Sequence, residues 1–164
     1  MDSEREAFQD LLDDHGAVVL GTLRRLCGNP HDADDVFQEV AVRVWRNIGA
    51  RPRLRNPRGW LLTIAYRAFV DHRARQSRTA ALDEDDETLA RGIGDPVVVV
   101  ERAEQGRRLA AAVERLPDAV REVVVLHYTG GLSLRQVAAA TGMSVGTVKS
   151  RLNAGSERLR RGLP

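Results

Sequence analysis

The sequence predicts an all-α protein built as two small helical domains joined by a flexible acidic linker. Three observations carry that prediction. A cap residue followed by proline recurs at Asn29-Pro30, Asn56-Pro57 and Asp95-Pro96, the arrangement that opens a helix. No stretch alternates apolar and polar residues with period two, as a half-buried strand would. From Gln76 to Gly94 the helical spacing gives way to acids, Thr, Gly and Ala, the composition of a tether. The expected boundaries are residues 1–78, a linker over 79–94, and 95–164.

Composition narrows the class. The 164 residues suffice for one or two small domains, with 29% charged and 43% hydrophobic residues, a water-soluble balance. No apolar run approaches the ~20 residues of a membrane span. The polar start Met1-Asp-Ser-Glu-Arg-Glu6 does not resemble a secretory signal. The one cysteine, Cys27, excludes an internal disulfide and suits a reducing cytoplasm. It falls on an apolar stripe and reads as a small core residue. Net charge is only +2, but it is unevenly spread: ten arginines against one acid, Asp71, between Arg43 and Arg78, and five consecutive acids from Asp83 to Glu87.

Taken in order, Ser3 and Glu6 form a possible capping box for a first helix over about 4–26, with Phe8, Leu11, Leu12, Val18, Val19, Leu23 and Leu26 apolar and Gly16 as a possible bend. The second helix covers about 30–48. Val36, Val40, Val44 and Ile48 make one face at four-residue spacing, which Phe37 and Val42 are expected to widen. Asp32, Asp34 and Asp35 crowd its N-terminus, where the helix dipole favours anions. A basic loop over 49–55 leads to a third helix from Pro57 to about Arg75, with Trp60, Leu61, Ile64, Ala65, Ala68 and Phe69 inward. Beyond the tether, Val97 to Val100 alone suggest a strand, but Glu101 to Leu116 is strongly helical and the helix is extended back over the valines. Another helix runs from Pro117 to about Tyr128 and closes at Gly130-Gly131.

The most informative stretch is Gly131 to Leu152. Ser133 followed by Gln136 is a capping box that starts a helix at Leu134. Gly142 can turn left-handed and stop it, and Ser144 caps a second helix starting at Val145. Val137 and Ala138 face Val148 and Leu152. This is a helix-turn-helix, whose second helix enters the DNA major groove. Ser144, Thr147, Lys149, Ser150, Arg151, Asn153 and, further on, Arg158 are its candidate contacts to phosphates and base edges. The bland alternative is a helical hairpin that only packs.

Two more constellations remain ambiguous from the residues alone. Asp35, Gln38 and Glu39 share a helix face with Asp32 and Asp34 nearby. They read as a metal site, as a solvated dipole-matched N-terminus, or as an acidic docking face. The basic block with Trp60, Tyr66 and His72 reads as a single-strand binding groove or as a solvated face. Catalysis finds no support. His15, His31, His72 and His127 lack metal-ligand spacing, and no phosphate loop or serine elbow is present. No enzyme activity, cofactor, metal or small-molecule substrate is expected.

Together these segments resemble an extracytoplasmic-function (ECF) sigma factor of bacterial RNA polymerase, of the group carrying only sigma regions 2 and 4. Asp32 to Trp45 resembles regions 2.1–2.2, Asn56 to Arg73 regions 2.3–2.4, and Leu116 to Leu152 region 4. The resemblance implies that Asp35, Gln38 and Glu39 dock on the coiled coil of the polymerase β′ clamp. It implies that Arg53, Arg55, Arg58, Trp60, Tyr66, Arg67, His72 and Arg73 open and read the −10 element, where a flipped base needs a pocket and phosphates need cations. The last helix would read the −35 duplex, the helix from Pro117 would meet the β flap, the tether would thread the RNA-exit region, and an anti-sigma factor would be a partner. Two departures stand out. Arg67 replaces an Asn common in the family, and Ala154-Gly155-Ser156 replaces basic residues, at a helix cost of ~1 kcal/mol for the glycine. A stand-alone dimeric regulator, which would bind a two-fold symmetric site without polymerase, is the competing reading. A protein-interaction module sequestered by a partner is a weaker third.

Overall fold

The computed structural model describes residues 2–49, 54–80 and 100–162, without the side chains of 100–103. Among these residues every element is helical and no strand occurs. The chain forms two compact units, Met1–Gly92 and Ile93–Pro164. No helix is long and apolar enough to cross a membrane. The Asp95-Pro96 cap, Val97 to Val99, the acidic run and Arg53 lie outside the described residues.

The first unit packs three helices against one another: α1 (Asp2–Cys27), α2 (Pro30–Asn47) and α3 (Pro57–Ala80). Its core comes from Leu11, Val19, Leu23 and Leu26 of α1, Ala33, Val36, Val40 and Val44 of α2, and Leu61, Leu62, Ala65, Tyr66, Ala68 and Phe69 of α3. Gly16 is where Phe37 of α2 comes against α1, its Cζ 3.7 Å from the position of a Cβ. Both cap-plus-proline starts form as expected. Asn29 Oδ1 accepts from the Asp32 N–H at 2.8 Å, and Asn56 Oδ1 from the Gly59 N–H at 2.9 Å.

Four expectations are corrected here. α1 begins at Asp2, so Ser3 lies inside the first turn rather than capping it. Val42 is 48% exposed; two positions past Val40 is about 200° around the helix, so it points away from the core. Ile64 is only half-buried, and Tyr66 takes the inward position. α3 continues to Ala80, past the loss of apolar spacing at Gln76. Its last turn needs no apolar face, because Thr79 Oγ1 donates to Arg75 O and Arg78 Nε to Ala74 O.

The second unit holds α4 (Val100–Glu114), α5 (Asp118–Val124), α6 (Leu134–Thr141) and α7 (Val145–Gly162). α5 widens into a π-helical turn over Val125–Thr129, so the single helix expected from Pro117 to Tyr128 changes its winding midway. The chain then reverses. Gly131 has φ 71°, the His127 Nδ1 approaches Leu132 O at 2.6 Å, and the Leu132 N–H donates to Leu126 O. Val123, Val124, Val125, Leu126, Leu132, Val137, Val148 and Leu152 form this unit's core.

Candidate polymerase and nucleic-acid interfaces

The outer side of α2 carries the acidic constellation. Asp35, Gln38, Glu39, Val42, Arg43 and Arg46 line one shallow open groove. Asp35 and Gln38 are exposed, and the exposed His31 ring stands 3.4 Å from Asp35. Glu39 differs. Its carboxylate is bonded to Arg75 of α3 and lies 3.5 Å from Arg43, which in turn holds Asp71 of α3 at 2.8 Å. The acidic face is therefore laced to α3 by an ion-pair chain across the helix seam. Val42 stands exposed among these charges, an apolar centre with a charged rim.

Asp32 belongs to the seam rather than to the docking face. Burial alone would raise its pKa, but hydrogen bonds from Asn29, Gln76 and His72 hold the carboxyl below its ordinary value. The buried His72 Nε2 stands 3.3 Å from Asp32 Oδ1. Burial, with Asp32 adding to it, pushes the nearby Cys27 thiol up to about 12, so it stays a protonated, unreactive thiol. His31, Asp32 and Asp35 bring one ligand atom each within 4.8 Å of one another. Adjacent turns of a single helix give that spacing by themselves.

The basic candidates on and before α3 separate by exposure. Arg55 and Arg67 are exposed, while Arg58, Trp60, His72 and Arg73 are partly covered. Arg73 lays its guanidinium over the Phe69 ring, 5.2 Å from the centroid. Tyr66 does not join them. It is only 7% exposed, with its ring 6.2 Å from Phe69, so it is a core residue and offers no stacking face to a base.

The helix-turn-helix forms as its residues predict. Ser133 and Gln136 make a reciprocal capping box, Gly142 turns at φ 75°, and the Thr147 N–H donates to Ser144 Oγ at 3.1 Å. Val148, Leu152 and Gly155 of α7 are buried, leaving Ser144, Val145, Gly146, Thr147, Lys149, Ser150, Asn153 and Arg158 outward. Arg151 is half-buried and turns back to the Met143 sulfur at 3.0 Å. Tyr128, on the π turn, is exposed and meets Ser156 of α7 at 3.4 Å.

Family models for sigma-70 region 2 and sigma-70 region 4 match residues 11–79 and 106–159. Over 166 residues the chain is 32% identical to the ECF RNA polymerase sigma factor SigK of Mycolicibacterium vanbaalenii, aligning 96% of this chain with 82% of that one. The chain belongs to the ECF RNA polymerase sigma factors. It is also 29% identical to SigW of Bacillus subtilis, across 98% of this chain and 90% of that relative. With SigE of Mycolicibacterium smegmatis it shares 34% identity over 94% of its own length, and it spans 60% of that longer protein. Among solved structures, the sigma factor RpoE of Bartonella quintana, crystallised with the anti-sigma factor NepR, has the same fold. The TM-score is 0.76 at 20% identity, covering 99% of this chain and 98% of that one. CnrH, solved with the cytosolic domain of CnrY, gives 0.63 at 26% identity, covering 96% and 87%.

Proposed function

We propose that this ECF sigma factor directs core RNA polymerase to its promoters in the cytoplasm, adding specificity and melting but no catalysis of its own. Residues 1–78 dock on the β′ coiled coil through Asp35, Gln38 and Glu39 and hold the melted −10 strand with Arg53, Arg55, Arg58, Trp60, Arg67, His72 and Arg73. Tyr66 leaves that set because its ring is in the core. Residues 95–164 read the −35 duplex through Ser144, Thr147, Lys149, Ser150, Arg151, Asn153 and Arg158, with α5 toward the β flap. The residues between, from 81 to 94, tether the two. A sigma factor of this fold solved with an anti-sigma factor supports a partner of that kind here.

The observation that carries the reading is a capped helix-turn-helix with an open recognition face, in one chain with a helix that is acidic on its outer side. The test is transcription by core polymerase with and without the chain, beside DNA binding by the chain alone. Transcription that requires both components supports the reading. Tight binding to a symmetric site without polymerase supports a stand-alone regulator instead.

Docking has its own test. Asp35→Lys is the cleaner variant, because Glu39→Lys would also set like charges against Arg43 and Arg75. Asp35→Lys is expected to weaken core binding at least tenfold without shifting the melting temperature. Unchanged affinity would refute the assignment.

A further inference from the structure

α7 opens on a turn whose hydroxyls are engaged with each other. Ser144 Oγ accepts from the Thr147 N–H and lies 2.9 Å from Thr147 Oγ1. Arg151, one turn later, is drawn back to the Met143 sulfur. Between the capping hydroxyls stands Val145, 44% exposed, the one large apolar side chain that α7 leaves so open among the described residues. Its neighbour is Gly146, where a Cβ would meet nothing nearer than Ser144 Oγ at 3.9 Å. The first turn of the helix therefore presents an isopropyl group beside bare backbone.

The first residues of a recognition helix are those that reach base edges in the major groove. There an apolar side chain has one partner of its own kind, the C5 methyl of thymine, which distinguishes T from C and from both purines. Burying a branched aliphatic group against such a methyl is favourable, because neither gains anything from water.

We infer that Val145 is a specificity-determining residue that reads a thymine methyl in the −35 duplex. This rests on the reading of α7 as the −35 helix and adds a base to it. The contact is apolar and independent of salt, unlike that of Lys149, whose charge addresses phosphates. Losing one methyl-sized burial is worth about fourfold in affinity.

The experiment uses holoenzyme made with the full chain. A duplex pool randomised over the −35 segment is selected with wild type and with Val145→Ala, a variant that exchanges one exposed side chain for a good helix former. Wild type should enrich T at one position, and the variant should lose that preference while keeping the others. At that position, replacing thymine by deoxyuracil, which removes only the methyl, should weaken wild type about fourfold and leave Val145→Ala unchanged. Identical preferences in the two proteins, relaxation at a position that is not thymine, or an equal deoxyuracil effect on both would overturn the inference. Lys149→Ala separates the two levels. If that substitution and a scrambled −35 segment both leave binding unchanged, α7 does not read this duplex and the Val145 assignment falls with it. If both weaken binding while the thymine test fails, only Val145 is misassigned.

Discussion

A Cβ at residue 155 would stand 2.5 Å from Val124 Cγ2 and 3.1 Å from Val120 Cγ1. Gly155 is thus the point at which α7 closes on α5, and the glycine that looks costly by helix propensity is needed by packing. Gly155→Ala would gain about 1 kcal/mol of propensity but lose about 1–3 kcal/mol to overpacking. A net loss in urea melts is expected, and Val124→Ala in the same chain should recover part of it; a Gly155→Ala protein more stable than wild type would show that the helices can part at no cost. A second single-residue effect follows from Asp32. Its folded pKa is depressed below the ordinary 3.8, with burial opposing and hydrogen bonds from Asn29, Gln76 and His72 prevailing. The stability it contributes is therefore present above the ordinary carboxylate value and is lost as pH falls through the lower folded one. Asp32→Asn should be less stable than wild type near neutrality, and the gap should narrow in acid below 3.8. A gap that stays constant on acidification would show that Asp32 titrates alike in both states.

Between α4 and α5 one buried side chain forms a link. Arg121 is 3% exposed; its Nη1 donates to Glu114 O and Leu116 O at 3.3 and 3.4 Å, and its Nη2 to Asp118 at 2.7 Å. The guanidinium satisfies carbonyls that the end of α4 leaves open. Arg121→Met keeps most of the volume but removes every donor, and is expected to cost about 2–4 kcal/mol in urea unfolding. Arg121→Lys, with charge but no fork, should fall between, and an unmoved midpoint for the Met variant would refute the capping role. Arg121 also marks the limit of what was legible in the sequence. Caps at Asn29, Asn56, Ser133 and Ser144 were readable because donor and acceptor lie within three residues. Contacts between elements far apart in the sequence were not. Glu39 and Arg75 are 36 positions apart, so no local pattern announces their pairing. Tyr66 turned inward because both α1 and α2 pack on α3, which widens its buried stripe to adjacent pairs such as Leu61-Leu62 and Ala65-Tyr66. Of the candidate sites, the outward face of α7 was legible from its caps. The basic set on α3 was legible as a composition, but its division into exposed and covered members required the fold.

Each of the two units has its own buried core. What the whole molecule adds is covalent connection. If the first unit docks and grips the melted strand while the second reads duplex, the tether turns the second encounter into an intramolecular one, at an effective concentration in the millimolar range. Neither surface then needs high affinity. This accords with candidate sets of scattered polar and charged side chains rather than broad apolar faces. The consequence is testable on one protein preparation. A protease site placed within residues 81–99 leaves both cores intact, and cleavage removes only the connection. Cleaved chain should retain its helical circular-dichroism signal and its binding to core through Asp35. Promoter-dependent transcription should fall by ~10²-fold or more at equal concentration and recover in part when the fragment carrying residues 100–164 is added in large excess. Equal transcription before and after cleavage would mean that one unit alone selects the promoter, and the two-point grip would have to be abandoned.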